Sequence, residues 1–392
     1  MRIAFYAPLK PPTHPVPSGD RRMARLLMAA LARANHQVTL TSRFRSWEGQ
    51  GDGARQESLA RIGQHTADRL VTQYRAAPAD RRPEVWFTYH LYYKAPDFLG
   101  PRISAALDIP YLVAEASHAP KRASGSWAKF HNAAQDAIAK ANAIFSLNPA
   151  DAECLKPVVG SGVLLAPLKP FLDGADFAAA GMRRDAIRAE FTRRFGMSAD
   201  QPWLLTVAMM REGDKYSSYR VLSHALQQLT DQPWQLLVVG DGPARKRVEE
   251  LFEPMARERV RFAGARLPEE LPEFYGAADL FVWPAINEAY GMSLLEAQAA
   301  GLPVIAGASG GVPSIVTHDV TGLLTSPGDI DAFAAAMRGL LRDAARRRTM
   351  GDRALEIVAG QHDVASAAAT LDSTLRDVVA RRRRKTEALR QA

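Results

Sequence analysis

The chain has 392 residues, of which 47% are hydrophobic and 23% charged, so we expect two globular domains rather than a disordered or fibrous protein. No apolar stretch approaches the roughly 20 residues of a membrane-spanning helix, no secretory signal is evident, and the single cysteine, Cys154, excludes an intramolecular disulfide framework. The net charge of +8 lies entirely in residues 1–165, which indicates an anionic partner such as nucleic acid, a membrane surface or a phosphorylated substrate, with solubility as the alternative.

Residues 1–165 alternate short apolar segments with helical patterns. A helix is predicted at Asp20–Ala34, where the apolar residues recur at helical spacing. The predicted strands are Ile3–Ala7, Val38–Ser42, Val85–Tyr89, Tyr111–Ala114 and Ala143–Leu147. Buried strands that alternate with helices predict a parallel sheet covered on both faces.

A second series of the same kind follows a break that begins at Gly160–Gly162. Residues 166–198 are predicted to be a linker region that contains a charged helix at Arg183–Arg194. The strands predicted after it are Trp203–Ala208, Gln235–Val239, Val260–Ala263, Leu280–Trp283, Val304–Ala306 and Gly322–Leu324, with helices that start near Ser217, Ala244, Leu271, Ser293 and Asp331. The fold class is therefore α/β, with Rossmann-like domains at 1–165 and 199–360 and a C-terminal helix with a basic end at 361–392.

Several common catalytic motifs are absent from the sequence. It has no Walker A motif, no G-x-G-x-x-G after a strand, no nucleophile elbow and no H-E-x-x-H zinc helix. The pair Asp329 and Asp331 could hold a divalent metal on a nucleotide diphosphate, but it opens a helical pattern at 332–341. Helix capping is the favoured interpretation of this pair.

The most informative segment is Asn287–Ala306, which follows a predicted strand. Glu288 is expected on the loop, Gly291 gives a flexible approach, Ser293 is the predicted N-cap, and Glu296 falls in the first helical turn. A helix N-terminus favours a diphosphate, and a carboxylate beside it can accept hydrogen bonds from vicinal sugar hydroxyls. The spacing of the two glutamates alone is also compatible with ordinary surface groups.

This segment resembles the signature of retaining glycosyltransferase family 4, the glycosyl transferases group 1, in which two glutamates are separated by seven residues and precede a small-residue helix ending Gly-x-Pro-Val. Further blocks agree in order and spacing: Val238–Pro243, Phe262–Gly264, Gly310–Pro313 and Thr321–Leu324. The resemblance is close over residues 200–345 and weak in the first half. It implies the GT-B fold, in which two Rossmann-like domains face a central cleft and the last helix can cross back to the first domain.

The resemblance assigns donor-binding roles to this segment. It implies that Glu288 binds the hydroxyls of the donor sugar and is a catalytic residue. Glu296 would bind the ribose hydroxyls of the donor nucleotide. The backbone N–H groups of Gly291, Met292 and Ser293 would hold the sugar and the phosphate at the helix end.

Two cations are implied to stabilise the leaving diphosphate. The family usually has R-x-x-x-E-K-G after the first strand of its second domain; here Lys215 fits the lysine, Met209 stands near the arginine position and Arg211 is displaced. Both Lys215 and Arg211 are candidate catalytic residues. The nucleobase is expected near the loop Gly264–Leu267, which makes Arg266 a candidate donor-binding residue.

In the first domain, the turn Pro17–Asp20 occupies the place of the family's glycine-rich turn, so Gly19 is a candidate for contact with the donor diphosphate. His118 resembles a cleft histidine that hydrogen-bonds the donor sugar, although a lone loop histidine can also be incidental. The candidates on the acceptor side are His90, Lys121 and Arg122.

The expected function is a retaining transfer of a hexose-type sugar from a nucleotide-diphosphate sugar to a glycan, lipid-linked or small-molecule acceptor, without a metal or other cofactor. The expected location is cytoplasmic, with charge-driven contact to an anionic membrane as an added hypothesis. The basic helix Asp20–Ala34 and the run Arg381–Lys385 could provide that contact. The alternatives are another GT-B-like enzyme, such as a sugar-nucleotide epimerase or a phosphorylase, and remotely a basic nucleic-acid-binding protein.

Overall fold

The computed structural model describes residues 1–16, 18–255 and 259–391. The strands are β1 (Arg2–Tyr6), β2 (Gln37–Ser42), β3 (Val85–Leu91), β4 (Tyr111–Ala116), β5 (Ala143–Ser146), β6 (Leu164–Pro167), β7 (Trp203–Val207), β8 (Gln235–Val239), β9 (Val260–Gly264), β10 (Leu280–Trp283), β11 (Val304–Gly307) and β12 (Gly322–Thr325). The helices are α1 (Gly19–Arg33), α2 (Gly53–Ala76), α3 (Gly100–Leu107), α4 (Ala128–Lys140), α5 (Pro149–Leu155), α6 (Ala175–Met182), α7 (Arg184–Phe195), α8 (Asp214–Gln227), α9 (Arg245–Phe252), α10 (Leu271–Ala277), α11 (Met292–Ala299), α12 (Ile330–Arg342), α13 (Ala344–Gln361) and α14 (Val364–Gln391).

The chain divides into two units. The first unit comprises residues 1–169 and the chain from residue 364 onward, and the second comprises residues 170–363. None of the described helices combines the length and the apolarity needed to cross a lipid bilayer.

The first unit contains a six-stranded parallel sheet in the order β2-β1-β3-β4-β5-β6. Its inner strands β3, β4 and β5 are buried almost throughout because helices cover both faces, whereas the edge strands β2 and β6 are partly exposed. Helix α1 begins after Ser18, whose hydroxyl oxygen accepts a hydrogen bond from the Arg21 N–H at 3.2 Å, and its residues Leu27 and Leu31 are fully buried. The apolar face of α1 therefore belongs to the core.

Helix α14 returns to the first unit, as the resemblance allowed. It packs against α1 and buries Leu371 and Leu375. His36 Nε2 lies 3.0 Å from Asp372 Oδ1 and joins the start of β2 to this helix. Lys385, at the end of the predicted basic run, has a side chain that lies outside the described part of the structure.

The second unit contains a six-stranded parallel sheet in the order β12-β11-β10-β7-β8-β9. Counted from β7, this is the strand order 6-5-4-1-2-3 of the Rossmann fold. The connection reverses direction between β7 and β10, so the loops that leave the carboxyl ends of these two strands diverge. Such a switch point is where open α/β sheets bind ligands.

The prediction of a linker at 166–198 is wrong, because this region belongs to the two folded units, but the charged helix predicted within it at Arg183–Arg194 is confirmed as α7. Residues 164–167 form β6, and residues 175–195 form α6 and α7, which pack on α10. Phe177 and Phe191 are buried against Tyr275 and Phe274 of that helix. The Arg188 guanidinium lies 2.9 Å from Asp279, so the charges of α7 hold it to the second unit.

Candidate active site

The candidate active site lies at the switch point of the second unit. The loop after β7 covers residues 208–213 and leads into α8, while the loop after β10 covers residues 284–291 and leads into α11. Because β7 and β10 are hydrogen-bonded neighbours in a parallel sheet, both loops leave the same edge. This topology brings together residues that are more than 70 positions apart in the sequence.

Lys215 and Glu288 form an ion pair across this switch point. The Trp283 indole N–H donates a hydrogen bond to the same Glu288 oxygen at 3.3 Å, and the Lys215 ammonium nitrogen lies 5.4 Å from the centre of the Trp283 ring. The two charged side chains are only 19% and 18% exposed. Limited access of water strengthens both the ion pair and the interaction of each charge with a ligand.

The loop that carries Glu288 is held in place by hydrogen bonds along its length. The Ser218 hydroxyl oxygen accepts from the Ile286 N–H at 3.0 Å, and the Ser309 hydroxyl oxygen accepts from the Glu288 N–H at 3.2 Å. The Gly311 N–H donates to the Ala289 carbonyl at 2.9 Å. These contacts fix the backbone that carries the Glu288 side chain.

The same loop contains strained backbone. Ala285 and Asn287 have φ values of 54° and 50°, in the left-handed region that side chains disfavour. Gly310 has a φ of 51°, and a Cβ there would lie 2.1 Å from the Glu288 carbonyl oxygen. Only glycine permits this close approach, which explains the glycine in the block Gly310–Pro313.

Helix α11 begins two residues earlier than an N-cap at Ser293 implies. Its N-cap is Gly291, with φ 74° and ψ 51°, so the prediction of Ser293 as N-cap is wrong. The left-handed conformation of Gly291 ends the loop and starts the helix at Met292, which places Ser293 in the first turn. No side chain of the described residues caps the helix, so the N–H groups of Met292 and Ser293 are available to an anion.

Glu296 lies in the second turn of α11 rather than in the first. Its side chain is on the buried face of the helix, and the residue is 3% exposed. The Tyr275 hydroxyl of α10 donates a hydrogen bond to Glu296 Oε2 at 2.7 Å. Tyr275 thus orients one carboxylate oxygen.

The structure places the other predicted residues of this unit as follows. Arg211 lies exposed on the loop after β7, and its side chain pairs with no described residue. Asp241 accepts from the Met210 N–H at 2.9 Å through its backbone carbonyl, so the backbone beside Arg211 is fixed. Arg266 donates to the Ala263 carbonyl at 2.6 Å and lies 3.6 Å from Glu270, which holds its guanidinium within its own loop.

The predicted residues of the first unit are distributed over several loops. Gly19 is the first residue of α1; Pro17, which begins the predicted turn, lies outside the described residues. His118 follows β4 and packs against His131 of α4 with ring centres 5.1 Å apart. Burial lowers the pKa of His118, and the neighbouring His131 lowers it further.

The three acceptor-side candidates do not share one environment. Lys121 and Arg122 lie in a short 3-10 turn after β4, and the Arg122 guanidinium lies 5.4 Å from the centre of the Tyr93 ring. His90 lies near the end of β3, with Nδ1 3.0 Å from Asp20 Oδ1. Only His90 belongs to a cluster of charged groups.

The capping interpretation of Asp329 is confirmed, since its carboxylate accepts from the Ala332 N–H at 2.9 Å at the start of α12. Four positioning residues were not foreseen: Ser218, Tyr275, Trp283 and Ser309. The end of a predicted strand could have indicated Trp283. The other three have no sequence signal, because their role depends on which loops lie side by side.

A comparison with known protein families gives a match to most of the second unit. Residues 198–357 match the family model described as Glycosyl transferases group 1. The D-inositol 3-phosphate glycosyltransferase of Corynebacterium aurimucosum is 34% identical over 182 residues, which are 44% of this chain and 43% of that protein. A GDP-mannose-dependent phosphatidylinositol monomannoside mannosyltransferase of Mycobacterium tuberculosis is 31% identical over 49% of this chain and 51% of that protein. The alignments thus span at most about half of these curated relatives.

Solved structures match nearly the whole chain. Sucrose-phosphate synthase from Thermosynechococcus elongatus has a TM-score of 0.70 at 23% identity and covers 97% of this chain and 99% of its own. Anabaena HepE, solved in complex with UDP-glucose, has a TM-score of 0.69 at 18% identity and covers 96% of this chain and 100% of its own. These matches confirm the predicted α/β fold of the GT-B class. Residues 198–357 form a domain of the glycosyl transferases group 1 family.

Proposed function

We propose that this protein is a retaining glycosyltransferase that moves a hexose-type sugar from a nucleotide-diphosphate sugar to a hydroxyl-bearing acceptor. The acceptor is a glycan, a lipid-linked sugar or a small molecule, and the reaction needs no metal. The observation that carries the proposal is the Lys215–Glu288 ion pair beside the uncapped N-terminus of α11. A cation and a helix end suit the diphosphate, while the carboxylate suits sugar hydroxyls.

The donor is bound in four parts by residues of the second unit. The first N–H groups of α11, at Met292 and Ser293, hold the phosphate oxygens. Glu288 accepts hydrogen bonds from the hydroxyls of the donor sugar, and Glu296 accepts from the ribose hydroxyls. The exposed loop Gly264–Leu267, which carries Arg266, borders the nucleobase.

Charge develops on the diphosphate as the glycosidic bond lengthens, and the sugar acquires oxocarbenium character. Lys215 and the N-terminus of α11 stabilise the departing charge, and the exposed Arg211 side chain adds to this field. Retention follows when the acceptor hydroxyl attacks from the face that the diphosphate leaves, with the departing phosphate taking the hydroxyl proton. Such a reaction requires no carboxylate nucleophile.

The choice of donor class has support from similar proteins. Anabaena HepE was solved in complex with UDP-glucose, and the mycobacterial relative is described as GDP-mannose-dependent. Both donors are nucleoside-diphosphate hexoses. We therefore propose UDP and GDP as the first nucleotides to test.

The experiment is a thermal-shift screen of the full chain with UDP, GDP, UDP-glucose and GDP-mannose, with and without EDTA. Since a ligand that binds only the folded state raises the Tm, one nucleotide should raise it equally in both buffers. Loss of the shift in EDTA contradicts metal independence. Proton NMR of the bound donor without acceptor tests the epimerase alternative, because only an epimerase would convert the donor to its epimer.

We also propose that the first unit contacts an anionic membrane surface. The Trp47 side chain is exposed, and the Arg45 guanidinium lies 5.5 Å from the centre of its ring. Tryptophan and arginine together suit the interface of an anionic bilayer. The protein should float with vesicles that contain phosphatidylglycerol but not with phosphatidylcholine alone, and equal flotation of both vesicles would contradict this proposal.

A further inference from the structure

A second cluster of charged side chains lies at the switch point of the first unit. In the order β2-β1-β3, the connection reverses between β1 and β3. His90 lies near the carboxyl end of β3, Glu115 near the same end of β4, and Asp20 in the first turn of α1, which follows β1. Ligand sites in doubly wound sheets form at this position.

The cluster is organised around the imidazole of His90. Its Nδ1 lies 3.0 Å from Asp20 Oδ1 and 3.7 Å from Glu115 Oε1. Its Nε2 hydrogen-bonds to no described residue. The Nδ1 nitrogen is thus held by carboxylates, while the Nε2 nitrogen is left for another partner.

Two members of the cluster have strained backbones. His90 has a φ of 62° and Glu115 a φ of 61°, although neither is glycine. A left-handed conformation is unfavourable for a residue that carries a side chain, and such strain concentrates at functional sites. Both strained residues present their side chains to the same cluster.

Glu115 provides the observation that points to a ligand. The residue is only 8% exposed, and its Oε2 is buried without a hydrogen-bond partner among the described residues. A buried carboxylate oxygen without a donor is unfavourable. A ligand that supplies a hydrogen-bond donor would satisfy it.

Other charges around His90 define the chemistry of that ligand. Asp151 of α5 accepts from the Ser117 hydroxyl at 2.9 Å, and its negative charge favours the protonated form of His90. Lys10, in the loop after β1, has a favourable charge interaction with Asp20. Burial opposes protonation of His90, but Glu115 and Asp20 outweigh it and raise the pKa of His90. The cluster therefore offers a carboxylate acceptor beside an imidazolium donor.

A hydroxyl group matches this pair, since it can donate to Glu115 Oε2 and accept from His90 Nε2 at once. A phosphate oxygen can only accept and would face three carboxylates. We propose that Glu115 and His90 form the subsite for a neutral, hydroxyl-rich sugar or polyol acceptor. This inference rests on the proposed function, and it separates the acceptor subsite from Lys121 and Arg122.

The test uses the full chain labelled with ¹⁵N-histidine, in which the His90 resonances are assigned by comparison with His90→Gln. The probes are glucose, mannose, galactose and myo-inositol, each raised to about 100 mM to detect weak binding, and glucose 6-phosphate. At least one neutral probe should shift the His90 resonances in wild type. Glu115→Gln should weaken that binding about tenfold, since it replaces the charged carboxylate acceptor with a neutral amide.

The matched control is Glu84→Gln, which changes a carboxylate at the opposite end of β3 and should leave the binding unchanged. Thermal unfolding of each variant verifies that it is folded. The inference is overturned if no neutral probe shifts His90, if Glu115→Gln binds as tightly as wild type, or if glucose 6-phosphate binds more tightly than glucose.

Two further titrations separate the possible failures. A His90 shift caused by UDP-glucose, but by neither UDP nor the free sugars, assigns the cluster to the donor sugar and overturns the acceptor subsite. Failure of both UDP and GDP to bind the same samples counts against the proposed function itself. A shift by a neutral sugar still supports the subsite in that case.

Discussion

Lys215, the second residue of α8, forms an ion pair with Glu288, the fifth residue of the loop after β10. The pair joins α8, which follows β7, to the loop after β10 at the switch point of the second sheet. The Trp283 ring contacts both charged groups. Both residues of the pair were assigned donor roles from the same family resemblance, and the structure brings their side chains into contact although they are far apart in the sequence. Their charges also hold the two loops together.

A double-mutant cycle should reveal this second role. Lys215→Met and Glu288→Gln should each lower the free energy of unfolding, and the double variant should lose less than the sum. We expect a coupling of about 1 kcal/mol, because both side chains keep some access to water. Urea unfolding of the four proteins measures it, and strictly additive losses would show that the ion pair does not contribute to stability.

Gly310→Ala should disturb the Glu288 loop directly. The new Cβ would approach the Glu288 carbonyl oxygen to 2.1 Å at a left-handed φ, so the loop must move. We expect the free energy of unfolding to fall by about 2 kcal/mol or more, together with a loss of donor binding.

Gly339→Ala is the matched control for that substitution. Gly339 lies inside α12 with no atom within 4 Å of a new Cβ, so alanine should raise the free energy of unfolding by about 0.5–1 kcal/mol. Equal effects of the two substitutions in urea unfolding would argue against a specific role for Gly310.

Tyr275→Phe tests how Glu296 is oriented. The substitution removes the hydroxyl that donates to Glu296 Oε2 at 2.7 Å and leaves the rest of the side chain in place. If Glu296 binds ribose hydroxyls, the variant should discriminate less between UDP and 2′-deoxy-UDP, or between the corresponding guanine nucleotides. Calorimetric titration gives the ratio of the Kd values for the deoxynucleotide and the nucleotide. If this ratio is the same in wild type and Tyr275→Phe, Tyr275 has no role in ribose recognition.

The stability of the first unit should depend on the charge of His90. Burial lowers the pKa of His90, but Glu115, Asp20 and Asp151 together raise it above the ordinary value of 6.5. A raised folded-state pKa gives a stabilisation that is fully present below the unfolded-state pKa and is lost as the pH rises through the folded-state pKa.

The difference in unfolding free energy between wild type and His90→Gln should therefore favour wild type most below about pH 6.5 and decrease at higher pH. Urea unfolding at a series of pH values measures this difference. If the stability advantage of wild type over His90→Gln instead increased with pH, the result would contradict a protonated His90 that is stabilised by the neighbouring carboxylates.

Some of the fold could be predicted from local apolar runs. The bounds of β8 and β10 agree with the prediction, because each strand is a short buried run between turn residues. Strand β6 was missed, since its four residues are partly exposed at the sheet edge and end in a proline. Helix α2 was missed because charged residues separate its few apolar ones.

The candidate site was predicted unevenly for a physical reason. Glu288, Glu296 and Lys215 lie in segments that resemble a known family, and parallel topology then brings two of them together. His90 was a sequence candidate for the acceptor side, but its cluster with Glu115 has no such signal, since a left-handed φ at a residue other than glycine is invisible in a sequence. Their meeting also depends on which strand ends are neighbours at the switch point.

The most direct test of the central claim is calorimetric titration of the nucleoside diphosphate selected by the thermal-shift screen into wild type, Lys215→Met and Lys246→Met. Lys246 is an exposed lysine of α9, so its loss controls for net charge. Wild type and Lys246→Met should bind with similar Kd values, while Lys215→Met should bind at least about tenfold more weakly. Equal binding by all three proteins would contradict a diphosphate site at the Lys215–Glu288 pair.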